Sequence, residues 1–149
     1  MKVGEICIRE VIYVEEWESL LTVAKLMREH HVGSVVVAKK HDDRLLPVGI
    51  LTDRDLVVEV VAANVDPESL QAQEVMSFNL VTVDENRAMW EVAGLMQEKG
   101  IRRVPVIDNG GYLVGIFCMD DILEIVTAEL NSLARLMHRE RNKEELIRQ

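Results

Sequence analysis

Two short runs in this 149-residue chain carry the side chains best suited to hold a small polar molecule. They are Gly49-Ile50-Leu51-Thr52-Asp53-Arg54-Asp55 and Gly115-Ile116-Phe117-Cys118-Met119-Asp120-Asp121. In each, an apolar strand-like stretch gives way to a helix start. Thr52 stands at that junction, where a hydroxyl can cap unpaired backbone N–H groups. The same N–H groups and the positive end of the helix dipole attract phosphate. Asp55, three residues on, can accept two hydrogen bonds from a ribose diol, and Arg54 can add a phosphate contact. A Thr and an Asp at this spacing also form a capping box that needs no ligand, so the residues alone leave both readings open. In the second run Cys118 is a weak cap, and Asp120 adds negative charge at the mouth.

Other chemistry has little support. His30 and His31 point to different helix faces and His41 and His138 are isolated, so no metal-binding spacing emerges. Cys7 and Cys118 have no neighbouring histidine, which leaves no nucleophile–base set in the sequence. Glycine-rich phosphate loops and dinucleotide fingerprints are missing, and no cofactor pattern takes their place. The paired carboxylates Glu15-Glu16, Asp42-Asp43 and Asp120-Asp121 suit turns and helix starts. The expectation is a binding protein, not an enzyme.

Composition narrows the class further. Apolar residues make up 48% of the chain and aromatic ones 4%, so the core must be aliphatic. A net charge of −9 repels nucleic acid and anionic lipid, and no apolar stretch approaches a membrane span of about 20 residues. Met1-Lys2-Val3-Gly4-Glu5 lacks the form of a signal peptide. Two cysteines in strand-like surroundings read as reduced thiols, which points to the cytoplasm.

The elements that must position these residues are written twice. With a shift of 69, residues 3–38 overlay 72–107, and ten of the 36 pairs are identical, among them Glu5/Glu74, Glu16/Glu85, Val23/Val92 and Met27/Met96. Beyond Lys39–Pro47 the shift becomes 66 and pairs Gly49 with Gly115 and Asp55 with Asp121. Each copy reads strand–helix–strand–strand–helix. In the first, these are Val11–Val14, Trp17–His31, Val32–Ala38, Leu46–Leu51 and a helix from Thr52 to about Ala63, with Lys39–Arg44 as a polar turn. In the second they are Leu80–Val83, Asn86–Lys99 ending at Gly100, Arg103–Ile107 and Tyr112–Phe117, with Asp108–Gly111 as the hairpin turn. Asp66-Pro67-Glu68 predicts a short helix within the linker 64–78. The resulting division is 1–63, 64–78, 79–128 and a C-terminal extension 129–149, of which His138–Gln149 is expected to fray. Ile122, Val126, Leu130, Leu133 and Met137 form an apolar seam on the last helix, suited to its own domain or to a dimer contact.

This duplicated α+β unit, closed each time by a Gly-apolar-apolar run and an Asp, resembles a cystathionine-β-synthase (CBS) domain pair. The resemblance covers residues 3 to about 128 and rests on two copies at the right spacing. It implies repeats packed about a pseudo-two-fold axis, clefts that take adenosine-containing ligands, and a regulatory module that homodimerises and acts on an unnamed protein target. AMP, ADP or ATP is the expected ligand. An S-adenosylmethionine sensor and a ligand-free dimerisation module are the alternatives.

By the same resemblance Asp55 and Asp121 are ribose carboxylates, and Arg102 and Arg103 reach phosphates bound beside Asp121, while Gly33 and Ser34 at the matching positions leave the Asp55 cleft without such a pair. Ser77, Leu80, Ile101 and Arg103 would line the base slot of the Asp55 cleft. Ile8, Val11, Val32 and Ser34 would line that of the Asp121 cleft. Each apolar member of these sets also suits ordinary core.

Overall fold

The computed structural model describes residues 1–148. They fall into two compact units, 1–117 and Cys118 onward.

The first unit opens with helix α1 (Val3–Ile6) and the short strand β1 (Tyr13–Val14). Helix α2 (Leu20–His30) follows, then the hairpin β2 (Ser34–His41) and β3 (Arg44–Thr52). Helix α3 (Asp53–Leu56) runs on into a π-helical turn, Val57–Val61, and a 3₁₀ turn, Pro67–Ser69, crosses to the second copy. There α4 (Ala72–Val75), β4 (Val83–Asp84), α5 (Met89–Lys99), β5 (Arg103–Ile107) and β6 (Leu113–Cys118) repeat the order. Each copy makes a three-stranded sheet, β1-β2-β3 or β4-β5-β6. The first strand lies parallel to the second, Tyr13 beside Val36 and Val83 beside Val106.

The aliphatic core forms as composition requires. Leu20, Val23 and Met27 of α2 meet Val35, Val37 and Leu51 of the first sheet, and all six are buried. Their counterparts Met89, Val92 and Met96 are buried with Val104, Val106 and Phe117. Ser19 caps α2 by accepting the Thr22 N–H at 3.2 Å. Helix α2 ends on His31 at φ 54°, and α5 ends on Gly100 at φ 65°, the left-handed turn that glycine adopts without strain.

The copies exchange their opening segments. Val3 and Gly4 donate to Arg87 O and Glu85 O of the second copy, at 2.9 and 2.8 Å. Ala72 and Gln73 donate to Glu18 O and Glu16 O of the first, at 2.8 and 3.0 Å. These are the same bonds under the 69-residue shift, and they produce the pseudo-two-fold relation. The motif glycines seat the exchanged segments. A methyl group at Gly49 would stand 2.5 Å from Met76 Sδ, and one at Gly115 would stand 2.5 Å from Cys7 Sγ.

Several boundaries differ from the sequence reading. The polar stretch Lys39–Arg44 is not one turn: pairing continues to His41 opposite Arg44, leaving Asp42-Asp43 as the turn with Asp42 at φ 48°. Beyond the core a paired strand can face water on both sides, so polarity does not mark its end. His41 stacks on Tyr112 with centroids 6.2 Å apart, and Arg44 lies 4.9 Å over the same ring. Strands β1 and β4 are shorter than expected, and α2 and α5 start three residues later. The four-residue helices α1 and α4 had no sequence reading. Each is closed by a carboxylate three residues on, with the Lys2 N–H donating to Glu5 and the Gln71 N–H to Glu74.

The second unit is dominated by α6, Met119–Arg148. The stretch expected to fray is helical through Arg148, while Gln149 lies outside the described residues. Among the described residues no helix is long and apolar enough to cross a membrane.

Candidate functional site

Strand β3 ends where α3 begins, and the capping box forms there in full. The Thr52 N–H donates to Asp55 Oδ2 at 2.8 Å, and the Asp55 N–H donates to Thr52 Oγ1 at 3.2 Å. Asp55 is therefore partly engaged by its own backbone before any ligand arrives. In the second unit the Cys118 N–H donates to Asp121 Oδ2 at 2.8 Å, repeating the carboxylate half of the box.

Beside the first junction lies a cleft of about 430 Å³. The first copy contributes Ile50, Thr52, Asp53 and Arg54 to it, and the second contributes Gly100, Ile101, Arg102 and Arg103. A smaller recess of about 60 Å³ shares Ile50, Ile101 and Arg103 with it and is closed by Ser77, Asn79, Leu80, Val81 and Pro105. The two form one groove between the copies, in the size range of small-molecule sites.

The placement of Arg103 depends on Gly33. A Cβ at Gly33 would stand 2.9 Å from Arg103 Nη2 and 3.4 Å from Asp53 Oδ2, so guanidinium and carboxylate approach the same bare stretch of backbone. The Asp53 N–H donates to Gly33 O at 3.1 Å and its Oδ1 accepts from the Arg54 N–H at 2.9 Å, which fixes the start of α3. Three arginines and one aspartate thus border the wide part of the groove.

Of the residues singled out in the sequence, Thr52, Arg54, Ser77, Leu80, Ile101, Arg102 and Arg103 meet at this groove, so the arginine pair whose phosphate role was expected beside Asp121 borders the cleft next to Thr52 and Arg54. Asp55 is half-buried at the same junction but does not line the groove. Ile8 bridges to Ile116 and is 48% exposed, Val11 and Val32 are half-buried, and Ser34 is buried opposite Thr52. None of these four lines the groove. Asp120 and Asp121 belong to the first turn of α6.

The sequence reading missed Ile50, Asp53, Asn79, Val81, Gly100 and Pro105. Asp53 lay inside the quoted motif and Asn79 and Val81 flank Leu80, so adjacency was the available signal. Among the described residues no group of three or more His, Cys, Asp or Glu side chains is placed to hold a metal.

The CBS domain family model matches residues 3–62 and 72–128, both copies of the repeat. The chain belongs to the CBS-domain family. A CBS pair is a regulatory ligand-binding module.

An uncharacterized protein of Methanopyrus kandleri is 42% identical over 84% of this chain, which spans 62% of that relative's length. Hypoxic response protein 1 of Mycobacterium tuberculosis is 41% identical over 75% of this chain and 76% of its own. A solved structure of Hypoxic Response Protein I, with two coordinated zinc ions, superimposes with a TM-score of 0.72 at 38% identity, covering 83% of this chain and 98% of that one. The CBS domain pair of protein MJ0100, in complex with 5'-methylthioadenosine and S-adenosyl-L-methionine, gives a TM-score of 0.75 at 26% identity, covering 87% and 98%.

Proposed function

We propose that this CBS pair binds an adenosine-containing nucleotide, AMP, ADP or ATP, in the groove between its copies and transmits occupancy to a protein target. The observation that carries the reading is the convergence of Arg54, Arg102 and Arg103 on a cleft that narrows into a recess walled by Leu80, Val81 and Ile101. Guanidinium groups match phosphate through forked, charge-assisted bonds. The apolar recess suits the edge of a base. Asp55 takes the ribose by releasing or sharing its bond to the Thr52 N–H. Signalling runs through the relative placement of the copies and through self-association as a homodimer, which requires a ligand that prefers one arrangement.

A second reading is favoured by Asp53. A carboxylate at the wide end of the groove suits a sulfonium cation, so S-adenosylmethionine is the alternative, and the MJ0100 pair is solved with that compound.

Thermal melting separates the two. A ligand at about 100 times its dissociation constant stabilises by about 2.7 kcal/mol. At this chain length that raises the midpoint by about 5–11 °C. AMP, ADP or ATP is expected to produce such a shift, and Arg103→Ala to remove it. A shift with S-adenosylmethionine alone, unaffected by Arg103→Ala, selects the second reading. No shift with any adenosyl compound overturns both and leaves a ligand-free dimerisation module.

A further inference from the structure

Helix α6 carries a stripe of exposed apolar side chains. Every described residue from Thr127 onward is exposed, including Leu130 (61%), Leu133 (57%) and Met137 (66%). Leu123, one turn before Thr127 on the same stripe, is 58% exposed. Along this stretch the Thr127 and Ser132 hydroxyls back-bond to Leu123 O and Ala128 O, and Arg148 pairs with Glu144 one turn away. In proteins most of a helix's stability comes from packing its apolar face, so this stripe calls for a partner.

Two features of the sequence identify that partner. The central part of the seam is palindromic. Val126 and Met137 lie equally far from the point between Asn131 and Ser132, as do Leu130 and Leu133. A second copy running the opposite way therefore sets Val126 against Met137 and Leu130 against Leu133, a self-complementary two-fold contact. Charge is divided about the same point. Met119–Asn131 carries Asp120, Asp121, Glu124 and Glu129 and no basic residue, whereas its mirror stretch Ser132–Glu144 carries Arg135, Arg139, Arg141 and Lys143 against Glu140 and Glu144. An antiparallel copy lays the acidic stretch along the basic one. A parallel copy lays like on like, within the roughly 8 Å over which charges are felt at physiological salt.

We propose that α6 is a self-docking helix that pairs antiparallel with the α6 of a second copy of this chain, centred between Asn131 and Ser132. The inference rests on the homodimer reading above and adds its geometry.

Site-directed cross-linking of the full chain tests it, in a background with Cys7→Ala and Cys118→Ala. Val126→Cys and Met137→Cys are made singly and also co-expressed as differently tagged chains. In the antiparallel pair, two copies of residue 126 stand about 16 Å apart along the axis, beyond disulfide reach. Neither single variant should cross-link, and the co-expressed pair should give the mixed dimer. Light scattering should report a dimer for the unmodified chain. Leu130→Glu with Leu133→Glu should raise the dimer dissociation constant by about a hundredfold or more, with the body's melting transition retained. A monomeric unmodified chain overturns the proposal together with the homodimer reading. A dimer in which each single cysteine variant cross-links with itself keeps the homodimer and overturns the antiparallel arrangement. A dimer that survives the double glutamate substitution overturns the helix as its interface.

Discussion

Replacing glycine by alanine at Gly49 and at Gly94 should move stability in opposite directions. At Gly49 the new methyl would stand 2.5 Å from Sδ, 2.8 Å from Cγ and 2.9 Å from Cβ of Met76. The thioether end can swing, but the Cβ is tied to the backbone, and Met76 is only 7% exposed. Overpacking of this kind costs about 1–3 kcal/mol. At this chain size each kcal/mol is worth about 2–4 °C, so the melting midpoint should fall by about 2–12 °C. Gly94 sits within α5 with nothing within 4 Å of the added carbon, and there alanine should gain about 0.5–1 kcal/mol through helix propensity. That is a rise of about 1–4 °C. The Gly49 change also reaches the groove, because Met76 precedes Ser77, whose N–H approaches Ile50 O at 3.4 Å, and both Ser77 and Ile50 line the recess. Differential scanning calorimetry of the two variants, followed by ligand titration, tests the argument. Equal shifts of the same sign, or a Gly49→Ala midpoint matching the parent, would refute the claim that this glycine seats the exchanged segment.

Asp55→Asn keeps an acceptor for the Thr52 N–H but loses the charge, so the free protein should melt within about 2 °C of the parent while the nucleotide-induced shift shrinks. Asp55→Ala should lower both. Ser19→Ala removes the cap on Thr22 and should cost about 1 kcal/mol, read as a drop of about 2–4 °C. His31→Gly relieves a left-handed residue at φ 54° and should stabilise by about 0.5–1 kcal/mol in a denaturant titration.

The duplication carried most of the fold into the sequence. Leu20, Val23 and Met27 announce the buried face of α2 by their spacing, and the same spacing recurs at Met89, Val92 and Met96. What stayed hidden was short or non-local. Helices α1 and α4 are four residues each, too brief for any periodicity, although Glu5 and Glu74, which close them, were already visible as an identical pair. The role of Gly49 and Gly115 depends on Met76 and Cys7, residues that only folding brings to them. Arg103 was assigned to the groove by resemblance, but its position over Gly33 follows from the absence of a side chain on the other copy. Asp53 escaped notice because the neighbouring Thr52, Arg54 and Asp55 offered more obvious chemistry.

The exchange of opening segments explains why such a groove is suited to sensing. The copies are joined at their ends by backbone bridges, Lys2 to Ala88, Ile8 to Ile116 and Ser19 to Gln71. Arg54 belongs to the first copy, and Arg102 and Arg103 to the second. An anion drawn to all three arginines would therefore engage both copies at once. On the proposed function, occupancy would alter the balance between the copies, and a change in that balance is the kind a second protein can read.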